Sequence, residues 1–172
     1  VQGTFLHDAP ILRVDSLSDR GIPELRSYLL EKLSALSPRS NRGTLRLPID
    51  RVFTVKGRGT VITGSMLSGS VRFDDRLVAL PGELAVRVKH LESEGQEADV
   101  LQAGQRAALN LVGETDKLER GSTVTMPDSL LASTRLKVRI ELLPQVPSLK
   151  DRQRIRFLIC TQEVIGRVQL LE

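Results

Sequence analysis

The chain has 172 residues, 40% of them hydrophobic and 27% charged, a balance that supports a buried core and excludes a disordered segment. Its formal net charge of +4 fits a polyanionic partner, but the basic residues are spread along the whole chain, so charge alone assigns none. The single cysteine, Cys160, excludes an internal disulfide, and with His7 and His90 it reaches no usual metal-ligand spacing.

No apolar run has the length of a membrane-crossing helix and no signal peptide is visible, so no membrane partner is expected and a cytoplasmic location is the default. The chain begins at Val1 instead of Met, as an excised piece of something longer would. Aromatics make up 3% and Trp is absent, so the core falls to Val, Leu, Ile and Ala. Cys160 follows the apolar run Phe157, Leu158, Ile159, where a thiol is expected to act as a small hydrophobe.

In chain order, Pro10–Val14 reads as a short strand, followed by a polar loop from Asp15 to Gly21. Ile22, Leu25, Leu29, Leu33 and Leu36 then recur at spacings of three and four, which predicts a helix. Pro23 falls where a first-turn proline is tolerated, and Pro38 helps to stop the helix. One strand and one helix cannot form a domain alone. Pro38–Gly43 is polar and reads as a linker.

After it, segments rich in Val, Ile, Leu and Thr alternate with Gly, Asp and Pro: Leu45–Val55, Thr60–Leu67, Arg76–Leu80, Ala85–Leu91, Gln105–Val112 and Ser122–Met126. Such spacing predicts a small barrel or sandwich. Closure is favoured because few of the segments carry the charge or proline of a blunted edge. Gly57 and Gly59 allow a positive-φ turn between the first two strands, and Gly64 and Gly69 mark the next bends. Asp74 and Asp75 read as a hairpin turn, not a catalytic pair, because neighbours on a strand face opposite sides.

Met126–Ser129 is a second joint. Arg135–Leu143, Gln153–Thr161 and Val164–Leu171 are then expected as three further strands, with an unpaired edge and an apolar face around Ile155, Phe157 and Ile159 that would pair with a neighbouring chain or pack back on the first barrel. Enzyme signatures are mostly missing: the sequence holds no Gly-x-x-x-x-Gly-Lys-Ser/Thr loop and no Gly-x-Ser-x-Gly elbow.

The informative stretch is Leu47-Pro-Ile-Asp-Arg-Val-Phe-Thr-Val-Lys-Gly-Arg-Gly-Thr-Val-Ile-Thr-Gly64. It resembles the start of the second domain of translational GTPases of the elongation factor Tu group. Ser68–Asp75 resembles the next hairpin of that domain, Ala103–Leu111 its penultimate strand, and Glu119–Val124 its exit. Val14–Leu25 resembles the guanine-contacting loop (Asp15, Ser16, Leu17) and last helix of a G domain, although Asp15-Ser16 stands where that family usually has Ser-Ala. Elongation factor Tu has two acidic residues after the Leu-Pro-Ile, whereas this chain has Asp50 and Arg51. The run Ile-Asp-Arg-Val-Phe-Thr-Val-Lys-Gly, with Gly104-Gln-Arg106 leading into Ala-Leu-Asn-Leu, is similar to the selenocysteine-specific elongation factors.

The resemblance implies a mainly β protein, with a βα remnant of an α/β G domain over 1–38 and a linker over 39–44. A closed domain II β-barrel follows over 45–127, then a linker over 128–134 and a partial second barrel over 135–172. It also implies that Asp50, Arg51 and Arg106 line the pocket for the selenocysteinyl group. A selenol is more acidic than a serine hydroxyl, so two guanidiniums would reward its anion, while Asp50 holds an arginine in place. Against this stands the alternation of an ideal strand, which sends Asp50 and Arg51 to opposite sides. Lys56 and Arg58 are candidate contacts to an RNA backbone.

The implied partners are selenocysteinyl-tRNA, the ribosome and, through a region outside this chain, the selenocysteine-insertion hairpin of an mRNA. GTP and Mg would serve the full-length parent, a GTPase, and this piece itself would neither bind GTP tightly nor hydrolyse it. The alternative is an accessory barrel of another GTPase of the group, a general translation factor or a sulfate-activation GTPase, without selenocysteine selectivity. The position of Arg51 relative to Arg106 separates the two readings: convergence in one partly enclosed pocket supports the tRNA reading, and opposite sides of the barrel exclude selenocysteine recognition.

Overall fold

The computed structural model describes residues 3–37 and 42–171; most of the linker expected over Pro38–Gly43 lies outside them. The chain divides into two compact units. One comprises residues 3–37 with 137–149, and the other residues 42–136 with 150–171.

The first unit contains one helix, α1 (Ile22–Ala35), at the position that the leucine spacing predicts. Gly21 precedes it in a left-handed conformation, with φ 75°. A Cβ there would lie 2.2 Å from the carbonyl oxygen of Arg13, so the site admits only glycine. Pro23 occupies the first turn, where no intrahelical N–H is required. No residue of α1 is buried. The strand expected over Pro10–Val14 is not formed. The loop is held instead by a bridge between Asp15 and Arg20, and no strand within this unit offers a ladder for Pro10–Val14 to join.

The second unit is built on antiparallel strands: β1 (Leu47–Val55), β2 (Gly59–Ser65), β3 (Ser70–Arg72), β4 (Arg76–Leu80), β5 (Leu84–Ser93), β6 (Gln96–Glu97), β7 (Val100–Gln102), β8 (Arg106–Gly113), β9 (Thr123–Thr125), β10 (Arg154–Ile159) and β11 (Gln162–Arg167). Six of them close a ring in the order β1-β2-β8-β5-β4-β9, with β9 returning to β1. This is the small closed barrel that the sequence predicts. All six predicted segments fall on its strands, while the short β3–β7 pair and the β5–β6 hairpin were not anticipated.

Closure follows from alternation. Leu47, Ile49, Ile62, Val88, Leu91, Leu109, Leu111 and Val124 are all buried to within 2% of full burial and form one apolar interior. Each such side chain contributes about 1.5–3 kcal/mol on burial, and the ring leaves no unpaired barrel edge. Gly57 (φ 81°) and Gly59 (φ 84°) make the β1–β2 turn as expected. Gly64, read as a bend, is an ordinary strand residue with another purpose: a Cβ there would lie 2.2 Å from the Pro48 carbonyl oxygen. Asp74 (φ 66°) sits in the turn before β4, and Asp75 caps that turn by accepting the Arg72 amide at 2.7 Å.

Two expectations beyond the barrel need correction. Arg135–Leu143 carries no strand, because no ladder partner meets it among the described residues. Cys160 is not a buried hydrophobe. It is exposed, with φ 53°, in the two-residue turn between β10 and β11, where the Ile159–Gln162 pairing ends the apolar run just before the thiol. That hairpin meets the barrel at its tip: Arg120 donates to the Thr161 carbonyl at 3.4 Å, and Gly121 packs on Gln162.

Candidate functional site

The register of β1 against β2 contains one irregularity, and it falls at the predicted site. Ile49 pairs with Gly64 and Arg51 with Thr63, which leaves Asp50 as an extra residue, a β-bulge. In a regular strand Arg51 would follow Ile49 into the core. The bulge absorbs one step of alternation, so Asp50 and Arg51 both face outward while Val52 returns to the interior. Ideal alternation therefore does not apply at Asp50 and Arg51. Gly64 is what permits the bulge, since the bulged chain passes too close for a side chain at that position.

Directly opposed residues of an antiparallel pair share a face. Arg51 is opposite Thr63, Thr63 opposite Ala108, and Arg106 lies two residues from Ala108 on the same side of β8. Contacts agree with this register. The Thr63 hydroxyl donates to Asp50 Oδ1 at 2.7 Å, Arg106 Nη2 donates to the same oxygen at 2.9 Å, and Arg106 Nη1 donates to Asp50 Oδ2. Arg106 Nη2 also lies 3.4 Å from the Thr63 hydroxyl. Asp50, Arg51 and Arg106 are thus brought together on one outer face of the barrel, and they are not on opposite sides. The face is open: Arg51 is exposed and the Arg106 side chain is half-exposed.

The hydrogen bond from Arg106 is the main cause that holds the Asp50 carboxyl below the usual carboxylate range. The Thr63 bond and the charges of Arg106 and Arg51 add to it against partial burial. The same pairing holds the Arg106 guanidinium more firmly protonated.

One step further along the strands, the same face carries a shallow pocket. Phe53, Val55, Val61 and Ala108 form its apolar side, and Arg58, His90, Glu92 and Asn110 its polar side. Cross-strand pairing builds it, because Phe53 opposes Val61, Val61 opposes Asn110, and Asn110 opposes His90. A second bulge, at Lys89 in β5, turns His90 outward as the first turns Arg51.

Glu92 is the hub of the polar side. Its Oε1 accepts from Arg58 at 2.9 Å and lies 2.8 Å from His90 Nε2; these two contacts, His90 first, hold its carboxyl below the ordinary value. Glu97 Oε1 lies 3.2 Å from His90 Nδ1. Asn110 donates to the carbonyls of Arg58 at 2.5 Å and Thr60 at 3.2 Å, which ties the β1–β2 turn to β8.

Of the two residues read as RNA-backbone contacts, Lys56 is exposed in the β1–β2 turn, whereas Arg58 is drawn into the pocket wall by Glu92. In the first unit, Asp15 closes its own loop. It accepts the Leu17 amide at 3.0 Å and the Ser18 hydroxyl at 2.6 Å, and the hydroxyl is the main reason its carboxyl is held low. Leu17 is exposed, as is Ser16.

Thr63, His90, Glu92 and Asn110 were not singled out as site residues from the sequence. Thr63 was within reach, since the Gly57–Gly59 turn sets a register in which it faces Arg51. The other three depend on the Lys89 bulge and on the β8–β5 pairing, which no local pattern signals.

No family model matches the chain. Its sequence is 36% identical over 172 residues to a selenocysteine-specific elongation factor of Desulfomicrobium baculatum, covering 99% of this chain and 27% of that protein. It is 33% identical over 171 residues to one of Haemophilus influenzae, covering 98% of this chain and 26% of that protein. The fold matches the crystal structure of a bacterial selenocysteine-specific elongation factor with a TM-score of 0.79 and 29% identity, over 96% of this chain and 28% of that one. The chain therefore spans about a quarter of the length of the curated relatives it matches. In sequence and in fold, over nearly all of its length, the chain is similar to selenocysteine-specific elongation factors.

Proposed function

We propose that this chain holds the aminoacyl end of selenocysteinyl-tRNA within a translation elongation factor that delivers it to the ribosome in a GTP-dependent manner. The observation that carries the reading is the bulge at Asp50, which sets Arg51 on the same outer face as Asp50 and Arg106. The face bears two guanidiniums against one carboxylate. Its net positive charge suits a selenolate and gives a neutral serine hydroxyl little in return.

The neighbouring pocket extends the reading. Same-face positions two residues apart along a strand are about 7 Å apart, the scale of an ester-linked amino acid beside its ribose. The apolar wall of Phe53, Val55 and Val61 would receive the terminal nucleoside while the amino-acid side chain meets the arginines. Lys56, exposed at the rim, would face the RNA backbone.

In this reading residues 1–38 are the end of the G domain, 45–127 the tRNA-binding barrel and 135–172 the start of a third domain. The sequence of this chain carries no phosphate-loop motif, so GTP and Mg would be held by other parts of the protein.

The test is equilibrium binding of selenocysteinyl-tRNA and seryl-tRNA to the full-length protein that carries this chain, alone and with Arg51→Ala and Arg106→Ala together. The expected result is a marked preference for selenocysteinyl-tRNA that the double substitution reduces by at least about tenfold, since the face keeps the Asp50 carboxylate and loses both guanidiniums, while seryl-tRNA binding is retained. Equal affinity of the unaltered protein for both tRNAs would overturn the reading.

A further inference from the structure

The two arginines of the face are not equivalent. Arg106 is spent. Its guanidinium meets both oxygens of Asp50 as a two-point fork, and Thr63 bonds the same carboxylate at 2.7 Å from the neighbouring strand. An aspartate held on both oxygens cancels most of the charge of its arginine toward any third group. Arg51 stands directly across from Thr63, yet its guanidinium makes no hydrogen bond or ion pair among the described residues. The uncompensated positive charge of the face therefore resides on Arg51.

We propose that Thr63, Asp50 and Arg106 form a clamp in which Thr63 is the positioning residue, and that Arg51 alone reads the charge of the ligand's side chain. This rests on the tRNA reading above and divides its labour. The clamp fixes the wall of the aminoacyl site and presents the remaining N–H groups of Arg106 in one orientation. Arg51, on a flexible stem, supplies the charge that separates an anionic selenolate from a neutral hydroxyl.

The chemistry makes the two positions respond differently to the same change. A lysine can replace a guanidinium that acts as a point charge, but it cannot replace one that acts as a planar fork. Thr63→Val keeps the β-branched shape and removes the hydroxyl, whereas Thr63→Ser keeps the hydroxyl.

The experiment compares the ratio of seryl-tRNA to selenocysteinyl-tRNA dissociation constants for the full-length protein and its Arg51→Lys, Arg106→Lys, Thr63→Val and Thr63→Ser variants, with the thermal midpoint of each. Arg51→Lys should keep the preference to within about threefold, and Arg106→Lys should lose about tenfold, the worth of one charge-assisted hydrogen bond. Thr63→Val should also lose about tenfold in preference, with seryl-tRNA affinity unchanged, and Thr63→Ser should restore it.

A purely structural Thr63 would instead weaken both tRNAs together and lower the thermal midpoint. That result, or a preference unaltered by Thr63→Val, overturns the positioning role. Equal losses in the two lysine variants, or a larger loss at Arg51, overturn the division of labour while leaving the tRNA reading intact. An unaltered protein with no preference for selenocysteinyl-tRNA overturns the tRNA reading itself.

Discussion

The β1–β2 hairpin and the β10–β11 hairpin are written in similar apolar, β-branched sequence, yet they end in different circumstances. The first is one side of a closed ring whose inward residues, such as Ile49 and Ile62, are fully buried. The second is a two-stranded sheet in which Leu158 is 75% and Ile165 59% exposed. Strand propensity sets the local conformation in both, but only closure converts it into stability. Closure also makes a functional face possible, because a side chain held on a rigid ring keeps its position without help from a ligand.

The largest effects should therefore come where the ring is tightest. Gly64→Ala puts a Cβ 2.2 Å from the Pro48 carbonyl oxygen and 2.8 Å from Leu47 Cδ1, neither of which can move without opening the bulge. A loss on the order of 4 kcal/mol is expected in denaturant unfolding. Leu109→Ala, in the fully buried β8 row, should cost about 3 kcal/mol by cavity formation.

Asp50→Asn tests the outer face of the same ring. It should cost about 1 kcal/mol at neutral pH, since the pair with Arg106 is only partly shielded from water. The sign of its pH dependence follows from the depressed carboxyl. The stabilisation is complete above the ordinary carboxylate value of about 4 and is lost as pH falls through the lower folded value. The difference between the unaltered protein and Asp50→Asn should thus close in acid. The smallest effect belongs to the open hairpin: Leu158→Ala should change stability by less than about 0.5 kcal/mol. A large loss there would show that the hairpin is covered in the assembled protein.

Much of the fold was legible because a barrel strand is a local pattern closed by glycine turns; Leu47–Val55 and Arg76–Leu80 could be read directly. Arg135–Leu143 was misread for the complementary reason. Its alternation is as good, but a strand exists only with a partner, and the partner is not a local property. Within the site, residue identity was legible and geometry was not. Asp50, Arg51 and Arg106 could be named from their motif, whereas the bulge that makes Asp50 and Arg51 share a face depends on how β1 pairs with Gly64 and Thr63. His90 and Glu92 needed a second bulge and a strand pairing besides.

The central claim is that this face reads charge. The most direct test measures the preference of the full-length protein for selenocysteinyl-tRNA over seryl-tRNA as a function of pH. If Arg51 reads a selenolate, the preference should be constant where the selenol is ionised and should fall progressively as lower pH protonates it, with seryl-tRNA affinity steady throughout. A preference that stays flat across the selenol titration would contradict the account.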